Sequence, residues 1–248
     1  MRYLLAIGGF RMKLLVPIHQ LKRKARLLHR QEQIPLHAAL DRIAAAEGYR
    51  SWGLLAAKQP ATSAATALCR QLEPGDLALV AGRPGQGKTL LSLALAAEAA
   101  RAGRRSAFFS LEYTPGGVLE RLQALGFAGH ELDGFFDLDC SDAISADYVI
   151  GALAAAPVGM LAVIDYLQLL DQRRDTPELS RQVRELKRFA RERGVIFVLI
   201  SQIDRAYDPA AKPFPEMADI RLPNPLDLGL FDKMCFLNGG EVRFQAAA

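Results

Sequence analysis

One octapeptide restricts the fold of this chain more than any other feature. Gly82-Arg83-Pro84-Gly85-Gln86-Gly87-Lys88-Thr89 fits the pattern G-x-x-x-x-G-K-S/T. The pattern works where a strand delivers the chain into the loop and a helix carries it away. Both flanks are present: Asp76–Ala81 reads as a short apolar strand, and Lys88 to Arg101 as a helix that Gly103 stops. Glycines let the backbone curl until successive N–H groups point inward at phosphate oxygens, and the helix adds its positive N-terminal end. Lys88 supplies a point charge to the β- and γ-phosphates, and Thr89 a hydroxyl to Mg²⁺. Gly82, Arg83, Pro84, Gly85, Gln86, Gly87, Lys88 and Thr89 are therefore the candidate nucleotide-binding residues. Arg83 holds a variable position and is expected to point outward.

A magnesium site also needs a carboxylate at the tip of a neighbouring strand. Leu161-Ala-Val-Ile-Asp165 offers four apolar residues and then an acid. An isolated buried Asp is costly, so a nearby cation gives Asp165 a reason to be there; a capping role is the plain alternative. Ser106–Ser110, Phe135–Leu138, Met160–Ile164 and Val195–Ile200 read as further strands. Helices are expected at 116–125, 146–154 and 178–193, with Gly126 and Gly194 stopping the first and last. Near-continuous apolar strands joined by helices imply an α/β fold with a largely parallel sheet covered by helices on both faces. Lys233–Leu237 and Glu241–Phe244 flank Asn238-Gly239-Gly240, a tight hairpin signal.

The N-terminal quarter differs in kind. Residues 1–60 hold 11 Lys/Arg against 3 Asp/Glu, and residues 61–248 hold 20 against 24. The net charge of +4 thus hides a basic segment on an acidic body. Ile18, Leu21, Ala25 and Leu28 recur at helical spacing with Lys22, Arg23, Lys24 and Arg26 between them, so a basic amphipathic helix is expected from about Pro17 to Gln31. A second helix begins near Pro35 and runs through Leu36, Leu40 and Ile43 toward Gly48. Tyr49, Trp52, Leu54 and Leu55 are expected to close a small apolar cluster, with Trp52 in that core rather than stacked on a base. The segment at 34–56 resembles a short helical module appended to various bacterial and plasmid proteins. Lys22, Arg23 and Arg26 are candidate nucleic-acid contacts; a solvated helix face is the alternative. Gln59–Thr66 is small and polar, a linker that divides a basic helical segment, 1–60, from an α/β domain, 61–248.

Several classes are excluded. No run of 18 apolar residues occurs, so no transmembrane helix is expected. The apolar stretch Tyr3–Phe10 is ended by Arg11 and Lys13 and is too short for a signal peptide; Met12 is a second candidate start. Cys69, Cys140 and Cys235 form no CxxC and no ligand pair with histidine, the pattern of reduced thiols in a cytoplasmic protein.

Two further residues follow predicted strands. Glu112, in Ser110-Leu111-Glu112, is placed to polarise a water as general base or simply to meet a helix dipole. Gln202 is placed on the γ-phosphate side or at the surface. Together FFSLEY, VIDYLQLL, LSRQVRELKRFARERGVIFVLISQIDR and ADIRLPNPLDLGLFDK resemble successive motifs of the ATPase domain of DnaB-type replicative hexameric helicases, within the RecA-like superfamily. The resemblance covers roughly Glu73 to Leu237. It implies a RecA-like core, ATP and Mg²⁺, hydrolysis, and single-stranded nucleic acid, DNA rather than RNA. It also implies a homo-oligomer such as a hexameric ring, and no membrane role. By this resemblance Glu112 is the catalytic base, Lys88 the phosphate lysine, Asp165 the Mg²⁺ acid and Gln202 the γ-phosphate sensor. Arg205 follows the sensor as in the family, and Asp219 and Arg221 match the start of its last motif. Loops at Gln172–Thr176 and Tyr207–Met217 are expected to face a strand at a ring's centre. The departures are that Leu222–Leu226 replaces a glycine-containing acidic segment, that no K-x-R-x-G arginine finger follows, Arg243 being the only late arginine, and that the large N-terminal domain of replicative helicases has no counterpart. A RecA-like nucleotide switch without strand unwinding is the alternative reading.

Overall fold

Apolar runs bounded by turn residues become strands, and here they join one sheet. The computed structural model describes residues 10–13, 18–47, 50–53, 64–127, 129–167, 170, 178–222, 224–239 and 241–246. The strands are β1 (Phe10–Lys13), β2 (Leu77–Gly82), β3 (Ser106–Ser110), β4 (Phe136–Asp139), β5 (Leu161–Asp165), β6 (Ile196–Gln202), β7 (Lys233–Asn238) and β8 (Glu241–Ala246). Their order across the sheet is β1-β8-β7-β2-β6-β5-β3-β4. β7, β2, β6, β5, β3 and β4 run parallel, and β8 and β1 close one edge antiparallel.

The parallel strands read as unbroken apolar runs because both of their faces are buried. Six described helices flank them: α3 (Ala64–Gln71), α4 (Lys88–Arg101), α5 (Pro115–Leu125), α6 (Gly129–Leu132), α7 (Ala146–Ala152) and α8 (Leu179–Arg193). Leu79, Phe109 and Ile164 share one cluster with Val183 and Leu186 of α8 and Val149 of α7. Val80, Phe108 and Val163 share the other with Leu68 of α3 and Leu93 and Ala97 of α4. Alternation along each strand thus divides one sheet between two cores. Local signals set the helix ends: the Thr114 hydroxyl accepts from Gly117 N before α5, and Gly194, at φ 68°, ends α8. The positive φ favours glycine there, and a Cβ, 2.8 Å from Val158 Cγ1, would also have to displace that exposed side chain.

Two differences from the sequence reading have clear causes. Ala64–Thr66, read as linker, begins α3: Ala64, Ala65, Leu68 and Cys69 lie on one buried face, a face too short and too alanine-rich to signal itself. The end of the early apolar stretch also finds a partner, as Phe10 pairs with Phe244 and Lys13 with Glu241 across the β1–β8 ladder.

Ahead of the sheet's main body, α1 (Ile18–Glu32) and α2 (Leu36–Ala46) build a small cluster of their own. Leu21 and Ala44 are its buried residues, with Ile43 and Trp52 packed against them. Trp52 is therefore packed into this core, and its backbone N–H donates to Asp41 Oδ1 at 2.8 Å. Gly48, Tyr49, Leu54 and Leu55 lie outside the described residues. Among the described residues, no helix is long and apolar enough to cross a membrane.

Candidate active site

Parallel strands bring their carboxyl ends to one edge, and that is where open α/β sheets bind ligands. Gly82, Ser110, Asp165 and Gln202 terminate β2, β3, β5 and β6. Register sets Gly82 beside Gln202 and Ser110 beside Asp165. Four separate stretches of sequence therefore meet along one sheet edge.

The phosphate loop has the expected shape. Gly85 and Gly87 sit at φ 79° and 86°, values that favour glycine. A Cβ on Gly82 would lie 3.1 Å from the Leu237 carbonyl oxygen and 3.4 Å from Lys88 Cγ, so β7 and Lys88 close tightly on the loop's first residue. Lys88 is buried, and its Nζ donates to Arg83 O at 3.1 Å. Burial lowers the lysine's pKa, while the charges of Asp165 and Glu112 pull it back up.

Asp165 is 1% exposed. The Thr89 hydroxyl is close enough to its carboxyl group to draw its pKa down, yet Oδ2 has no partner. Burial first, and the charge of Glu112 second, push its pKa up to about 7 against the opposing pull of Thr89 and Lys88. A buried carboxylate with one unsatisfied oxygen is costly to keep. A cation at Oδ2 removes that cost. One carboxylate and one hydroxyl make the partial oxygen shell that Mg²⁺ accepts when water and phosphate complete it. Among the described residues, no group of three His, Cys, Asp or Glu would hold a metal by protein ligands alone.

Glu112 is exposed, and its N–H donates to Ser110 Oγ at 3.2 Å. Its charge acts on both Lys88 and Asp165, so these three predicted residues converge. Gln202 is half-buried, and its carbonyl accepts from Arg221 N at 2.8 Å. Ile203 N donates to Gly82 O, Asp204 N donates to Asp219 O, and Ile203 bridges Ile220. Asp219 and Arg221 are thus laid along the end of β6. Arg205 is exposed in the turn that follows.

Other expectations fare differently. Arg83 is half-buried instead of pointing freely outward, and its charge reaches Tyr207. Burial and then Asp219 raise the Tyr207 hydroxyl, while Lys212 and Arg83 oppose them. In the Tyr207–Met217 loop, Tyr207 and Phe214 are buried, and Lys212 pairs with Asp219 at 2.7 Å and Glu216 at 3.3 Å. The Gln172–Thr176 loop lies outside the described residues. Lys22, Arg23 and Arg26 are exposed on α1 and take no part in these contacts. Sequence reasoning missed the contact made by Gln86, whose Oε1 accepts from Gly239 N at 2.9 Å. A contact between residues 153 apart leaves no local signal.

A parallel sheet with a phosphate loop after its central strand defines a P-loop ATPase domain of the RecA-like fold. Residues 65–127 and 153–226 match the DnaB-like helicase C terminal domain, and the chain belongs to that family. It is 30% identical to the replicative DNA helicase DnaB of Synechocystis sp. over 182 residues, 60% of this chain and 21% of that protein. It is 27% identical to a probable plasmid replicative DNA helicase of Chlamydia trachomatis over 207 residues, 68% of this chain and 44% of that one. The chain therefore spans less than half the length of these curated relatives. A solved DnaB-like replicative helicase has the same fold, with a TM-score of 0.57 and 21% identity over 66% of this chain and 47% of that one.

The native state holds the Asp165 proton more tightly than the unfolded chain does, so stability of the nucleotide-free protein falls as pH rises from about 4 through about 7. Asp165→Asn removes this dependence. Melting curves without nucleotide or Mg²⁺ are expected to coincide at about pH 4 and below, where Asp165 is largely protonated in both states. At pH 8 the variant melts several degrees higher, each kcal/mol being worth about 2–4 °C at this size. Equal pH slopes in the two proteins would contradict the buried-carboxyl assignment.

Proposed function

We propose that this chain binds Mg·ATP in the Gly82–Thr89 loop, hydrolyses it, and works on single-stranded DNA within a homo-oligomer, as a DnaB-type motor or its accessory. The observation that carries the reading is the unpartnered buried Oδ2 of Asp165 beside Thr89 and Lys88. The names of the relatives, replicative DNA helicases, support the choice of DNA.

Each residue then has a task. Lys88 exchanges its bond to the Arg83 carbonyl for the β- and γ-phosphates. Backbone amides around Gly85 and Gly87 receive phosphate oxygens. Thr89 and Asp165 would hold Mg²⁺, which when bound offsets phosphate charge. Glu112 takes the proton of the attacking water, and its exposure leaves room for that water. Gln202 offers its carboxamide on the γ-phosphate side. Lys88→Ala is expected to abolish tight ATP binding. Glu112→Gln should keep binding and slow turnover by about 10²–10⁴-fold, the usual share of a positioned base. Wild-type turnover in Glu112→Gln would reduce Glu112 to a helix-end charge.

The DNA part draws on α1. At 3.6 residues per turn, Lys22, Arg23, Arg26 and Arg30 fall within an arc of about 100° turned away from Leu21, which is buried. The nearby acids are engaged elsewhere: Glu32 pairs with Arg42, and Asp41 holds the Trp52 N–H. The arc therefore keeps its charge. With Trp52 in the core, the arc meets phosphates and reads no bases. Neutralising Lys22, Arg23 and Arg26 together should weaken single-stranded DNA binding for all sequences alike. The salt slope should drop by about 2, or about 0.7 per phosphate contact, with basal ATP turnover intact. Unchanged affinity and slope would make α1 a solvated face. Turnover indifferent to DNA would favour a nucleotide switch instead.

A further inference from the structure

The tip of the β7–β8 hairpin is tied in two directions at once. Toward the phosphate loop, Gly239 N donates to Gln86 Oε1 at 2.9 Å, and Leu237 sits against Gly82. Toward the segment after β6, the Asn238 carboxamide donates to Pro213 O at 2.9 Å and to the Tyr207 hydroxyl at 3.3 Å. The Tyr207 hydroxyl donates onward to Lys212 O at 2.8 Å, and Lys212 reaches back to Asp219. Because Asp219 O accepts from Asp204 N at 2.7 Å, residues 204–219 form a closed ring. Its base rests on the end of β6 and its far side hangs on Asn238.

The residue type matters. A tight hairpin turn takes Asp as readily as Asn, but only the carboxamide brings two donors, and both are used here. The hairpin alone does not call for them. The contacts at Pro213 and Tyr207 do. The neighbouring Gly239 meanwhile contacts a side chain inside the phosphate loop, so one two-residue tip touches both the loop that takes phosphate and the segment that leaves the sensor strand.

We propose that Asn238 is a positioning residue that couples the phosphate loop to residues 204–217, so that filling the loop orders that segment. This rests on the ATP reading above. Phosphate engages the loop amides, fixes Gln86, steadies the Gly239–Asn238 tip, and restrains Tyr207 and Pro213 through Asn238. Asn238→Asp keeps the shape and the turn but removes both donors. Tyr207→Phe keeps the buried ring but removes the shared hydroxyl.

The test is hydrogen exchange of the full chain with and without a Mg²⁺-bound, non-hydrolysable ATP analogue, with analogue affinity measured alongside. In the wild type, the analogue should slow the amides of Tyr207, Ala211 and Lys212 by about 3–10-fold, the scale of one hydrogen bond. In Asn238→Asp these amides exchange fast and do not respond, although analogue affinity stays within about twofold and β-strand amides keep their protection. Tyr207→Phe should respond weakly. In steady-state turnover, Asn238→Asp lowers kcat by a similar factor with KM for ATP little changed. A full response in Asn238→Asp would overturn the coupling, as would a wild type that binds the analogue without any response in this segment. A wild type that binds no analogue would overturn the ATP reading and the coupling with it.

Discussion

A carboxylate placed at the end of a strand buried on both faces, with one oxygen left unsatisfied, is the constraint on which the site depends. Asp165 can occupy that place only with help. The Thr89 hydroxyl and the Lys88 charge favour its ionised form, and the proton that burial and Glu112 favour gives the rest. These arrangements are makeshift. Lys88 meanwhile spends its ammonium on the Arg83 carbonyl. Each group is held near where Mg·ATP would use it, and each has a temporary partner that the ligand would replace.

The sheet supplies the precision. Asp165, Ser110, Gly82 and Gln202 are neighbours because their strands are neighbours in register, and those strands are fixed by burial on both faces. Packing holds the site rather than a network of surface ion pairs, which contribute little in water. The elements set around this frame are less deeply built. The α1–α2 pair has a core of its own with two fully buried members, Leu21 and Ala44, and Trp52 against them.

Much of this was legible in the sequence, for physical reasons. Strands β2, β3, β5 and β6 announce themselves because a strand buried on both faces must be apolar throughout. Helix α4 is legible because the phosphate loop dictates its start. Asp165 stands out because an acid after four apolar residues needs a cause. What was not legible is long-range or weakly patterned. Helix α3 is a short, alanine-rich stretch whose helical face shows only against α4. The short β1 pairs with β8, at the far end of the chain. Gln86 and Asn238 look like ordinary loop residues until the hairpin tip is seen to rest on the phosphate loop and on Tyr207.

On the function proposed above, Asp165 is largely protonated at mildly acid pH until a magnesium-bound nucleotide displaces its proton. Calorimetric titration with a Mg²⁺-bound ATP analogue, repeated in buffers of different ionisation enthalpy, counts the protons released on binding. With a carboxyl pKa of about 7 in the free protein, binding at pH 6 should release about 0.9 proton from this group, falling toward none at pH 8. Binding with no proton release at pH 6, or with release that does not change between pH 6 and 8, would contradict the account.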